Sequence, residues 1–190
     1  APLVWRAGFP ITVMQKRVTT QKPPRHHHKL RSGMAASILQ KDIAAHHFDV
    51  RKQTIASGSD NVATVSWQRH GSTTTTTSDP AYLLRMQAMH QRYPHFYNTH
   101  FFIPGPANSM ANDASRLLLL SIPHLLSHFY SSYPHNVPWQ YAHPRTKILS
   151  SVISALLSKR PDLASFCQEP PRNNATWLVW QSFCVSLCVD

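Results

Sequence analysis

Glutamate is all but missing from this chain of 190 residues: Glu169 is the single one, and eight acidic residues stand against nineteen Lys and Arg. Any chemistry that needs paired carboxylates must therefore draw on a handful of Asp. Cysteine is nearly as scarce. Cys167, Cys184 and Cys188 all fall near the C-terminus, an odd number without the spacing of a disulfide framework or a zinc knuckle, so reduced thiols are expected. No apolar run reaches the roughly 18–20 residues of a membrane helix. The first residues, without Met and broken by Pro2 and Pro10, lack the pattern of a signal peptide. No internal repeat is visible. A soluble, intracellular protein is the expectation.

What the chain has in excess is positive charge. A formal charge of +11 and a pI near 10.1 favour a polyanionic partner, with nucleic acid first in line. The same charge would suit a basic surface without a specific partner. A hydrophobic content of 42% is enough for one core of ordinary size with an appendage.

The patterning alternates helix and strand. Ala1 to Pro10 and then Ile11 to Met14 predict an extended apolar start, and residues 21–33, basic and aperiodic, predict a loop. From Met34 to about His47, apolar residues recur at helical spacing without Pro or Gly. Lys52 to Gly58 predicts a short buried strand that delivers Asp60 at its C-terminal edge, where Asp60 would also cap a short helix running to Arg69. Gly71 and the Thr73 to Thr77 run predict a polar loop, since consecutive β-branched residues disfavour helix. Ala81 to Tyr93 predicts a helix with Arg85 and Arg92 on one surface, stopped by Pro94. Phe96 to Ile103 predicts a strand, and Pro104-Gly105-Pro106 turns the chain into a short helix carrying Asn112, Asp113 and Arg116. Two amphipathic helices are expected beyond it, Pro123 to Tyr133 and Thr146 to Lys159, then a Pro-rich stretch over 160–176 and an apolar one from Trp177 to Val189. This order is that of an α/β layer fold.

The run His26-His27-His28 invites a metal-site reading. In an extended segment adjacent histidines point to opposite sides, and no Cys or carboxylate neighbours them, which favours a structural origin.

The segment from Gly105 to Arg116, Gly-Pro-Ala-Asn-Ser-Met-Ala-Asn-Asp-Ala-Ser-Arg, resembles G-x-x-N-x-x-A-D-x-x-S-R, the pattern that closes the RNase H domain of gypsy-like and DIRS-like retroelement polyproteins. Ser59-Asp60-Asn61-Val62-Ala63 is similar to that family's S-D-N-x-A. Trp67 to Ser72 resembles W-x-x-K-G-S, and Ala81 to Arg92 resembles A-Y-L-L-R-x-x-A-x-H-Q-R. These matches lie in the family's order over roughly residues 50–120. The resemblance implies an incomplete RNase H-like layer fold over 1–120, a mixed sheet with flanking helices. A small helical linker over 121–170 and an unassigned tail over 171–190 would follow.

The resemblance also implies a function: magnesium-dependent cleavage of RNA in RNA–DNA hybrids, by carboxylates converging on two ions about 4 Å apart. Asp60 matches the ligand after the fourth strand. Asn112 stands where the family has its last Asp, with Asp113 one position later, a rotation of about 100° on a helix. Gly33 stands at the second ligand's position, and the first ligand would lie upstream of Trp5. The implied magnesium site is thus reduced to Asp60, Asp113 and Asn112, and hydrolysis is expected to be lost. Contacts to a hybrid or duplex would come from Trp67, Arg69, Arg85, His90, Arg92 and Arg116, although the arginines would serve equally as solubilising charges and His90 as part of a solvated helix face. The leading expectation is a degenerate RNase H-like fragment. A basic nucleic-acid-binding module without catalysis and a non-functional pseudogene product are the alternatives.

Overall fold

The structure, a computed structural model, describes residues 1–13, 26–71 and 78–166. The expected polyThr loop, the cysteines, Glu169 and the apolar C-terminal stretch lie outside the described residues. The elements in order are β1 (Leu3–Val4), α1 (His26–His47), β2 (Thr54–Ser59), α2 (Val62–His70), α3 (Ser78–Arg92), β3 (Tyr97–Phe102), α4 (Ser109–Arg116), α5 (Ile122–Ser132), β4 (Gln140–Tyr141) and α6 (Thr146–Leu156). Short 3₁₀ turns cover Gly105–Ala107 and Ala164–Phe166. Among the described residues no helix is long and apolar enough to cross a membrane.

The fold is mixed α/β, with two separate parallel pairs where one mixed sheet was expected. β2 runs beside β3 from Thr54 opposite Tyr97 to Ser59 opposite Phe102. Parallel neighbours need a long crossover, and α2 and α3 supply it. β1 pairs with β4, Leu3 opposite Gln140, which ties the chain's first residues to its last third. Arg6 reinforces that tie, its guanidinium donating to the carbonyls of Leu117 at 2.8 Å and Leu120 at 2.6 Å.

α1 is the axis of the molecule. Every residue from Ser32 to Ala45 is buried, so this stretch of the helix has no solvent face, as befits one wrapped on all sides. Met34, Ile38, Leu39 and Ile43 meet Trp67 of α2, Leu83 and Met86 of α3, and Ile148 and Val152 of α6 in one apolar cluster. Residues beyond 120 thus close the same core, and Phe166 joins it as well. A smaller cluster joins Val4, Ala114, Leu125, Phe129 and Trp139.

Two expectations about local structure are corrected. Residues 26–33 are helical, continuing α1 by two turns; periodicity could not reveal this, because a basic stretch with almost no apolar residues carries no apolar stripe to read. Residues 11–13 are helical as well, where an extended segment was expected.

Gly33 has a packing reason to be there. A Cβ at this position would lie 2.6 Å from Thr64 Oγ1 and 3.3 Å from its Cβ and Cγ2, so the missing side chain is what lets α1 approach α2. Alanine would gain roughly 1 kcal/mol of helix propensity, yet overpacking of this kind costs about 1–3 kcal/mol. We expect Gly33→Ala to lower the urea unfolding midpoint in the wild-type background and to be neutral or stabilising beside Thr64→Ala. A gain in stability from Gly33→Ala alone would contradict this packing.

Candidate nucleic-acid interface

The end of β2 places Asp60 half-buried at the mouth of α2. It does not cap that helix as expected. Asn61 does, its side-chain oxygen accepting from the Thr64 amide at 3.1 Å, while the left-handed Gly71 (φ 63°) closes the other end. An amide one residue later has the better geometry for the orphan amides of the first turn.

At the other matched position, α4 directs its polar groups to neighbours within the fold. Asn112 donates its amide to the Gly105 carbonyl at 3.0 Å. Asp113 accepts from His128 Nε2 at 2.9 Å and from the Tyr133 hydroxyl at 2.7 Å, both on or just beyond α5. Burial raises the pKa of Asp113, but the hydrogen bonds from His128 and Tyr133 and the charges of His128 and Arg116 outweigh it and hold the carboxyl below its usual range. Burial and the bond to Asp113 raise the Tyr133 phenol. Asp113 thus fastens α5 to α4. Among the described residues no three His, Cys, Asp or Glu side chains gather where an ion could sit. Asp60, Asn112 and Asp113 do not fit a magnesium centre, and no hydrolytic step follows from them.

Two residues expected at a nucleic-acid surface are interior. Trp67 is buried in the main core. His90 is buried between the rings of Phe96 and Phe166, with Nε2 donating to Asp42 at 3.1 Å. Packing governed both, since each lies on the inward face of its helix. Arg69, Arg85, Arg92 and Arg116 are exposed.

One of those arginines, Arg69, lines a cavity among the described residues. This cavity of about 670 Å³ opens between the C-terminal end of α2, α3 and β3. Gln68 and Arg69 line it from α2, Gln87 and Gln91 from α3, and Asn98 and His100 from β3. Arg69 holds the strand through Nε, which donates to the His100 carbonyl at 2.8 Å. Ala88 also lines the cavity and lies on the same exposed ridge of α3 as Arg85 and Arg92, three and four residues away. The basic ridge therefore adjoins the lining face of α3, with Arg85 and Arg92 themselves outside the lining. Arg116, on α4, is not part of the lining.

No family model, no curated protein and no solved structure matches this chain. The site is therefore read from its own chemistry.

That chemistry is polar, with one cation in Arg69, and in part unsatisfied. Gln68 Nε2 donates to Gln87 Oε1 at 3.2 Å, leaving each amide its other group. The side-chain N and O of Asn98 and both ring nitrogens of His100 are buried without a hydrogen-bond partner among the described residues. Groups of this kind are costly unless something meets them. Sequence reading missed all five amide and imidazole residues. The signal was present as Asn98 and His100 two apart on a strand and Gln87 and Gln91 four apart on a helix, spacings that put each pair on one face.

His100 also gives the protein a pH dependence. Its own burial, then the charges of Lys41 and Arg69, pull its pKa down to about 3, against about 6.5 in an unfolded chain. The unfolded state therefore binds the proton first. Stability is full above about pH 6.5 and declines as pH falls towards 3, by about 2 kcal/mol between pH 7 and 5. His47, lowered by burial and by His46, contributes in the same direction. Urea unfolding at the two pH values should show this decline, and His100→Gln should remove the larger part of it. An unchanged slope in that variant would contradict the assignment.

Proposed function

We propose that this chain is a nucleic-acid-binding module of RNase H-like descent that no longer hydrolyses its ligand. The observation that carries the reading is the cavity beside β3: Arg69 lines it, the exposed Arg85 and Arg92 lie on the adjoining ridge of α3, and no carboxylate is among its described lining residues. The net charge of +11 supplies long-range attraction for a polyanion, and arginines on a rigid ridge supply phosphate contacts that read shape rather than sequence. The descent rests on the ordered motif matches, among them Ser59-Asp60-Asn61 at the end of a parallel strand and the Asn108 to Arg116 segment on a helix after its neighbour. Loss of hydrolysis rests on Gly33, whose place against Thr64 leaves no room for a carboxylate side chain, and on Asp113, which is committed to His128 and Tyr133.

Fluorescence anisotropy with a labelled RNA–DNA hybrid and a labelled single strand tests this. Affinity is expected to fall at least tenfold between about 50 and 200 mM salt, with Arg85→Gln and Arg92→Gln each lowering the slope of log affinity against log salt by about one. No cleavage is expected with magnesium or manganese. Turnover that Asp60→Asn abolishes would overturn the non-hydrolytic reading, and salt-independent or absent binding would overturn the module itself.

A further inference from the structure

We infer that the cavity between α2, α3 and β3 is a nucleotide pocket that takes one unstacked base, with the attached phosphate on Arg69, so that the module prefers single-stranded to fully paired nucleic acid. This rests on the nucleic-acid-binding reading and narrows its ligand.

Size is the first requirement. About 670 Å³ lies within the range of small-molecule sites, roughly 300–1,000 Å³, and admits a nucleoside but not a duplex. Chemistry is the second. A base edge presents donors and acceptors side by side, and side-chain amides match such edges because each carries one of both kinds. Gln68, Gln87, Gln91 and Asn98 supply four amides. His100, only 5% exposed, lines the same wall with both ring nitrogens unpartnered, and as a neutral imidazole it offers one donor and one acceptor. Charge is the third requirement. Arg69 keeps guanidinium hydrogens beyond the one given to the strand, and it stands at the rim where the sugar–phosphate of an inserted base would emerge. A sugar alone would present hydroxyl donors that carboxylates accept best, and the described lining has none.

Recognition of an unpaired base is the mode by which proteins read single strands, since a base inside a helix hides its pairing edge. Arg85 and Arg92 on the adjoining ridge would then hold the phosphates on either side of the inserted nucleotide.

The test uses the whole chain and four small-molecule probes. Adenosine and uridine 5′-monophosphates, ribose 5-phosphate and inorganic phosphate are titrated while the ring-nitrogen resonances of the histidines are followed by long-range ¹H–¹⁵N NMR. In parallel, a single-stranded RNA and a duplex of equal length are compared by anisotropy. The nucleotides are expected to shift the His100 ring signals, ribose 5-phosphate and phosphate to leave them unmoved, and the single strand to bind about tenfold more tightly than the duplex. Asn98→Leu, at a half-buried strand position, should cancel most of that preference while leaving the salt dependence intact. If His100→Gln fails to fold, the wild-type ring shift and Asn98→Leu still decide the matter. Equal binding of single strand and duplex with His100 unmoved by nucleotides would overturn the pocket alone. Failure of every nucleic acid to bind would overturn the underlying reading as well.

Discussion

A carboxylate with no exposure to solvent sits at the centre of this fold. Asp42, in the buried stretch of α1, receives Arg145 from the start of α6 through Nε at 3.1 and 3.0 Å and through a second guanidinium nitrogen, and His90 from α3 at 3.1 Å. Burial pushes the Asp42 carboxyl up, and the hydrogen bonds and charges of His90 and Arg145 more than reverse this, holding it below its ordinary value. Leaving one member of such a set buried without its partners costs roughly 3–5 kcal/mol, a large share of the roughly 5–15 kcal/mol that a domain has in total. The three helices are therefore required to meet in one arrangement. Hydrophobic contacts alone would let α6 slide along α1; an ion pair with a fork geometry does not.

From that constraint follows the position of the pocket. α3 is fixed to α1 through His90, and the same helix presents Gln87 and Gln91, three positions before and one after, towards β3. β3 is held against β2 in register and against α2 through Arg69. The polar wall of Asn98 and His100 is thus carried by a strand whose place is set from two sides. Asp113, away from the residues that line the pocket, links α4 to α5 through His128 and Tyr133. Two of the chain's few carboxylates thus serve the fold, Asp113 as a helix–helix link and Asp42 as the core's keystone.

Much of the element order was legible because α2, α3, β3, α5 and α6 carry the ordinary signals of periodicity and punctuation, Pro94 and Gly71 among them. The start of α1 was not. Its basic first turns carry no apolar stripe to read, and Gly33 within it reads as a breaker until the closeness of Thr64 is known. Asp42 and Arg145 are separated by 103 residues, and nothing local announces their pairing. At the candidate site the exposed arginines were legible from composition and helix position. Trp67 and His90 were misplaced because residue type alone suggests a contact surface, whereas packing drew both inward. The pocket's amides escaped notice for the opposite reason: Gln and Asn are ordinary surface residues, and only the fold brings them together.

Residues beyond 120 are integral to the main core. Native-state hydrogen exchange measures this most directly, because it reports the opening free energy of each segment separately. Amides of α1 from Met34 to Ala45 and of α6 from Ile148 to Leu156 are predicted to exchange through the same global opening. Exchange of α6 through a much easier local opening, with α1 still protected, would show that the Asp42 link does not bind them into one unit and would contradict the account.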